Sequence, residues 1–282
     1  MGVTYRGYCS NPNNLDSLSL PTEWKVDSIK KLSQNFRKDQ EQLLKSLIKC
    51  ATKHELESIF LHLNQSSIQY LPLWSSIIRA EVETECLEIK KAGLEEAIGN
   101  ICIYNDSDVN PSQSVELLSS IFTSSPPCVS HQLEVACLDL VSCLTQHNGH
   151  QAMSVLSLFL SHRPNLSLSV IPITFSIIRQ VLTSAPTSDT LQSLQKVLGL
   201  FSRHKADYAP VIPSLLVDLL FYLQSLSLDM RGLLTTSLYP LLEMLEKHSL
   251  NYISSNLSPA SNELFKVLLE NYQATQKFKG KV

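Results

Sequence analysis

Apolar residues in this chain recur at three- and four-residue steps, which is the signature of one buried side of an α-helix. Beyond Asp27 the pattern is carried by Ile29, Leu32, Phe36, Leu43, Leu44, Leu47 and Ile48, with charges between them. A break at Thr52 separates these from Ile59, Phe60 and Leu63. Further helices are predicted over 66–80 and 81–104. The second of these has Val82, Leu87, Leu94, Ile98 and Ile101 as its apolar face, and Glu85–Lys90 and Glu88–Lys91 stand close to helix-supporting spacing. In the turn cluster 105–111, Asn110 can cap and Pro111 can occupy a first helical turn. A short helix over 114–122 ends before Ser124-Ser125-Pro126-Pro127. The next runs over 131–146, with Asn148-Gly149 read as its C-terminal stop. Helices are also predicted at 150–161, 165–183, 188–203, 208–226, 229–247 and 259–276. No segment alternates as a strand would. Residues 1–21 lack periodicity, contain Asn11-Pro12 and Leu20-Pro21, and read as a poorly ordered leader.

One internal echo raises this helical pattern to an architecture. Val170-Ile171-Pro172 returns 41 residues later as Val211-Ile212-Pro213, each time opening a leucine- or isoleucine-rich run. Leu71-Pro72 has the same form nearer the start. Proline is tolerated in a first helical turn because that N–H has no intrahelical partner. A helix-pair period of about 40–47 residues is that of HEAT and armadillo arrays. The expected fold is therefore all-α: a HEAT/armadillo-like α-solenoid of antiparallel helix pairs with a C-terminal capping helix. The rival is a non-repetitive helical bundle. The expected division is a leader at 1–21, N-terminal helical repeats at 22–110, and a C-terminal helical domain at 111–282 continuous with them.

Composition changes this picture little. The chain has 282 residues, is 44% hydrophobic and 17% charged, and can bury a large core. Its net charge of −3 argues against a surface that binds nucleic acid by charge alone. The one basic run is Lys277, Lys279 and Lys281. The seven cysteines form no CxxC pair and are read as reduced core fillers. Gly2 meets the first need of a myristoylation signal, but Arg6 stands where Ser or Thr is expected. No apolar run is long enough to span a membrane. No phosphate-binding glycine loop, nucleophile elbow or HExxH helix occurs.

Three weaker constellations carry little chemistry. His147 and His150, with Cys143 upstream, have a possible metal spacing but lack further ligands. His54 and His62 would stand about 12 Å apart along a helix, which suits a polar face better than a site. Cys137, Asp139 and Cys143 make no nucleophile–base arrangement. The serine pairs Ser66-Ser67, Ser119-Ser120, Ser124-Ser125 and Ser254-Ser255 are expected at helix ends, receiving N–H groups there. An enzyme is accordingly not expected, nor a cofactor, metal or small-molecule substrate.

The C-terminal block is the most distinctive stretch. Leu238, Leu241, Leu242 and Leu245 form one stripe, and Leu250, Ile253 and Leu257 follow in what reads as a short link. Ser258-Pro259 opens a last helix whose buried face is Leu264, Phe265, Leu268, Leu269 and Tyr272. Lysines lie at its C-terminal end, where positive charge suits the helix dipole. Such a helix would close the open end of a solenoid.

This block resembles the C-terminal domain of the "unhealthy ribosome biogenesis protein two" family of nucleolar pre-rRNA processing proteins. The resemblance lies in Leu238-Tyr239, the linking leucines, Leu264-Phe265-Lys266-x-Leu268-x-x-x-Tyr272 and the Lys277–Lys281 tail. Tyr208-Ala209-Pro210 and Arg231 also look like the family, whereas Ser237 stands where the family has glycine. The likeness is good over 208–281 and weaker over 110–207. It implies a non-enzymatic scaffold in large ribosomal subunit assembly, located in the nucleolus. The implied partners are assembly proteins of early large-subunit precursors, with pre-rRNA met indirectly or through the basic tail. Lys266, Tyr272, Lys277, Lys279 and Lys281 are the candidate partner or RNA contacts. A cytoplasmic α-solenoid adaptor, for example in vesicle transport, is the alternative.

Overall fold

The computed structural model describes residues 27–28, 41–64, 71–79, 87–103, 111–123, 131–146, 148–163, 169–184 and 186–278. Among them are fourteen helices and no strand, so the chain is all-α. The leader 1–21, Ile29, Leu32, Phe36, Val82, Glu85, Tyr104, Asn110 and the serines of 66–67 and 124–125 lie outside the described residues. By contacts the chain forms two compact units, 1–140 and 141–282.

In the first unit, α1 (Glu41–Lys49), α3 (Leu71–Arg79) and α5 (Pro111–Thr123) pack one against the next. Helix α2 (Lys53–Asn64) packs on α4 (Leu87–Ile103). The break at Thr52 has a clear cause: its N–H donates to Glu55 Oε2 at 2.7 Å and so caps α2. Phe60 stacks on Trp74 with ring centres 5.5 Å apart. Gly93 lets α4 approach this pair, since a Cβ there would lie 2.9 Å from Phe60 Cγ. Lys90 is turned inward, 3% exposed, and donates from Nζ to the Ile78 carbonyl at 2.9 Å. The Glu88–Lys91 pair forms on the surface at 3.6 Å. Leu94 and Ile98 are buried as expected, while Leu87 is only half-buried.

Helix α6 (His131–Leu144) contains the division between the units. In the second unit, α7 (Gly149–His162), α9 (Ser188–Arg203) and α12 (Leu228–Leu242) pack in series. Helix α8 (Ile171–Thr183) packs on α11 (Ile212–Ser225), and α11 on both α13 (Lys247–Asn256) and α14 (Pro259–Phe278). Short α10 (Lys205–Tyr208) joins α9 to α11. Phe201 meets Phe175 edge-on at 6.2 Å and Tyr208 at 4.8 Å, tying α8, α9 and α10 together. Long-range polar links within this unit span 35 to 43 residues. Ser142 donates to Gln180, 38 residues on, at 2.9 Å. Arg179 donates to Asp218, 39 residues on, at 2.8 Å. Lys205 donates to the Glu243 carbonyl, 38 residues on, at 3.0 Å, and Gln224 donates to Ser261, 37 residues on.

Several boundaries differ from those predicted, each for a local reason. Helices α8 and α11 begin at Ile171 and Ile212, not near 165 and 208, because Pro172 and Pro213 need a first-turn position where no N–H is missed. Asn148-Gly149 does not stop α6, which gives way to a turn at 145–146. Asn148 instead caps α7, its Oδ1 accepting from Gln151 N–H at 3.1 Å, and Gly149 is the first helical residue. The expected link after α12 contains ten-residue α13, because Leu250, Ile253 and Leu257 have helical spacing. Ile253 is buried and the two leucines half-buried. Ser119-Ser120 lies inside α5 and Ser254-Ser255 inside α13. Rather than capping backbone N–H groups, Ser120 and Ser255 donate to the Glu116 and Tyr252 carbonyls.

Candidate functional site

Helices α12 to α14 bring together the residues that distinguish the C-terminal block. Ser258 Oγ accepts from Ser261 N–H at 3.2 Å and caps α14. From this start one stripe turns inward: Ser261, Phe265 and Leu268 are buried, and Leu264, Leu269 and Tyr272 are half-buried. The Tyr272 ring lies 5.7 Å from that of Tyr239 on α12. Burial first, and then the Glu243 carboxylate, hold the Tyr272 phenol above its ordinary 10.0, against a hydrogen bond with Gln276 that lowers it. On α12, Leu238, Leu241 and Leu242 are buried, and Ser237 satisfies its own hydroxyl by donating to Leu233 O at 2.7 Å.

Of the five residues picked out by sequence, Lys266 and Tyr272 are those whose side chains are described. Lys266 is 61% exposed and pairs with Glu263 at 2.7 Å. It lies six residues before Tyr272, about 240° around the helix, so the two face different ways. Lys277 belongs to α14, but its side chain, with Lys279 and Lys281, lies outside the described residues.

A groove that sequence reasoning missed lies beside this block. One wall is the α10–α11 turn with Ala209, Pro210, Pro213 and Ser214; the other is Met244, Glu246, His248, Ser249 and Tyr252. Its volume is about 490 Å³. Tyr252 is 48% exposed, with its hydroxyl 3.4 Å from Ser214 Oγ, and Glu246 and His248 pair at the rim at 3.3 Å. Apolar contact and hydrogen bonding are what these groups offer. The sequence signal lies in Pro210 and Pro213, which fix one wall, and in the Leu250–Ile253 spacing, which turns Tyr252 outward once α13 is seen as a helix.

Arg231 has a structural role: it donates to the Leu226 and Gln224 carbonyls at 2.9 and 2.6 Å, closing the C-terminal end of α11. The three weaker constellations resolve as follows. His150 Nδ1 meets Ser193 Oγ at 2.9 Å and Asp189 O at 3.2 Å, while His147 lies outside the described residues. His54 is exposed beside Glu57 at 3.4 Å. Cys137 is buried and Cys143 half-buried, and partial burial raises the Asp139 carboxyl above its ordinary range. Among the described residues no three His, Cys, Asp or Glu side chains gather to hold a metal, and no helix is long and apolar enough to cross a membrane.

No protein-family model, curated protein or solved structure matches this chain. The functional reading therefore rests on the residues themselves.

Proposed function

We propose that this chain is a non-enzymatic helical-repeat scaffold of large ribosomal subunit biogenesis, acting in early nucleolar pre-ribosomal particles. The observation that carries the reading is the C-terminal pattern Leu238-Tyr239 to Leu264-Phe265-Lys266-x-Leu268-x-x-x-Tyr272. The residues of that pattern are also those that seat α14: Phe265 and Leu268 are buried, and Tyr239 and Tyr272 meet ring to ring. The likeness to the family thus concerns a packed unit and not scattered leucines.

The HEAT-like solenoid reading has its own support. Helices α7, α9 and α12 pack in series, α11 packs on α8 and on both α13 and α14, and long-range polar links span 35 to 43 residues. The Val-Ile-Pro echo opens α8 and α11, which pack on one another. A stack of this kind displays an extended surface to protein partners. Contact with pre-rRNA, in this proposal, is confined to the lysine tail.

Recovery of the tagged full chain from cells tests the reading. Early large-subunit assembly proteins and precursor rRNA should co-purify, and the chain should be seen in nucleoli. Recovery without either, or exclusion from nucleoli, would refute it and favour a cytoplasmic adaptor.

A further inference from the structure

Two exposed aromatic rings stand on one side of α11. Phe221 is 67% exposed, and Tyr252, reaching across from α13, is 48% exposed. The Tyr252 hydroxyl lies 3.4 Å from Ser214 Oγ. Phe221 follows Ser214 by two helical turns, so it shares that face and lies about 10.5 Å further along the axis. Beside Tyr252, Pro210, Pro213 and Met244 give the 490 Å³ groove its apolar lining. Its polar groups are chiefly hydroxyls. Ser249 is 6% exposed and lines the groove, yet its Oγ has no hydrogen-bond partner among the described residues. The Ser214–Tyr252 contact is longer than an ordinary O–H···O bond, so these hydroxyls also have hydrogen bonds to offer.

The charges give the face a sign. Glu246 stands at the rim, and no Lys or Arg lines the groove. Asp218, between Ser214 and Phe221 on α11, is already held by Arg179 at 2.8 Å. Glu246 touches His248, but both are more than two-thirds exposed, and a carboxylate with two oxygens can take a further cation. These features choose between the ways a peptide can bind. A helix has its carbonyls already bonded and needs an unbroken apolar trough, which Ser214 and the Arg179–Asp218 pair interrupt. Strand addition needs a sheet edge, and the described residues hold no strand. A polyproline II segment has no internal hydrogen bonds, so its carbonyls are open to hydroxyl donors, and it repeats every three residues, about 9.3 Å. That repeat is close to the two-turn separation along α11.

We infer that the α11–α13 face binds a proline-rich segment of another protein in the polyproline II conformation. Prolines three residues apart pack on Tyr252 and Phe221, and the Ser249 and Tyr252 hydroxyls donate to carbonyls of the segment. A Lys or Arg flanking the proline on Tyr252 meets Glu246. This inference does not rest on the ribosomal reading, since purified chain and peptide are enough to test it.

The purified full chain is applied to an array of synthetic peptides of the pattern Pro-x-x-Pro-x-Arg, with x varied, beside copies whose prolines are alanine. The tightest peptide is then labelled with fluorescein and titrated by anisotropy. Proline peptides should bind and their alanine copies should not. Tyr252→Ala and Phe221→Ala should each weaken binding at least about tenfold, the size of a lost anchor, with helix content unchanged in circular dichroism. Glu246→Gln should weaken it about threefold at low salt and less at high salt. A peptide with Gln in place of Arg should not distinguish that variant from the parent chain. An array without proline-dependent binders would overturn the proposal, as would full binding by Tyr252→Ala or Phe221→Ala. A dimer in sedimentation velocity that Tyr252→Ala dissolves would overturn it in favour of a second copy of the chain.

Discussion

Phe265→Ala should release α14 while leaving most of the second unit folded. Among the described side chains of α14, two large apolar ones are fully buried, Phe265 at 1% and Leu268 at 2% exposure. Full burial contributes about 1.5–3 kcal/mol for each such side chain, so the stripe supplies about 3–6 kcal/mol. Phe-to-Ala changes in cores cost about 3–5 kcal/mol, the lost transfer energy plus the cavity left behind. The substitution therefore removes most of what seats the helix. The Ser258 cap and the Gln224–Ser261 bond remain, but bonds of this kind contribute only about 1 kcal/mol each. Urea unfolding followed by circular dichroism should show an early loss of helix before the main transition. Hydrogen exchange read by mass spectrometry should show α14 losing protection while α9, with Leu191, Leu194, Leu198 and Phe201 buried, retains it. A stability loss below about 1 kcal/mol, the size of a surface change, would refute the single-stripe argument. Simultaneous loss of protection in α9 would refute the idea that α14 is coupled only to its neighbours.

Three other outcomes follow from particular contacts. Gly93→Ala should destabilise the first unit by about 1–2 kcal/mol in urea titration, because overpacking against Phe60 outweighs the helix propensity gained. Arg231→Ala should cost about 1–3 kcal/mol by the same measurement, since two charge-assisted bonds to α11 carbonyls are lost and the side chain is partly exposed. Tyr272 should ionise later than an ordinary phenol of 10.0, and Tyr272→Phe should remove one late-ionising phenol from an ultraviolet tyrosinate titration. The unfolded chain loses that proton first, so this contribution to stability is intact below pH 10 and is lost as pH rises through the higher folded value.

Local chemistry makes much of the fold legible. Helix α9 begins and ends at the predicted 188 and 203 because Thr187 caps it and its apolar residues keep strict helical spacing. Asn148-Gly149 is ambiguous in sequence because the same dipeptide suits both a helix stop and a helix start. The choice depends on backbone angles, and Asn148 at φ −154 is not in the left-handed region. Helix α13 passes for a link because ten residues with one fully buried large side chain, Ile253, give a weak period. Contacts far apart in sequence are not legible at all. Nothing in the charge pattern around Lys90 announces that it bonds to Ile78 O, because the long stem lets the amine reach a carbonyl on another helix. The candidate site suffers likewise: Lys266 and Tyr272 are near in sequence, but helical rotation sends them to different sides.

That separation decides how the proposed scaffold could use α14. An interior helix such as α11 buries Ile212, Leu215, Leu216, Leu219, Leu220 and Leu223, a wide apolar face held by several neighbours. Helix α14 buries one stripe and exposes Glu263, Lys266, Val267, Glu270, Asn271 and Gln273, a face compatible with water. Tyr272 serves the inner side and helps to hold α14 against α12, so its loss would weaken partner binding only by loosening α14. Lys266 serves the outer side, and its pair with Glu263 is a solvated one within a single helical turn. Such pairs contribute about 0–1 kcal/mol, so a carboxylate or phosphate of a partner can displace Glu263 at small cost. Of the two, Lys266 is the residue that can recognise a partner directly, and Lys266→Glu should weaken capture of that partner without moving the urea midpoint.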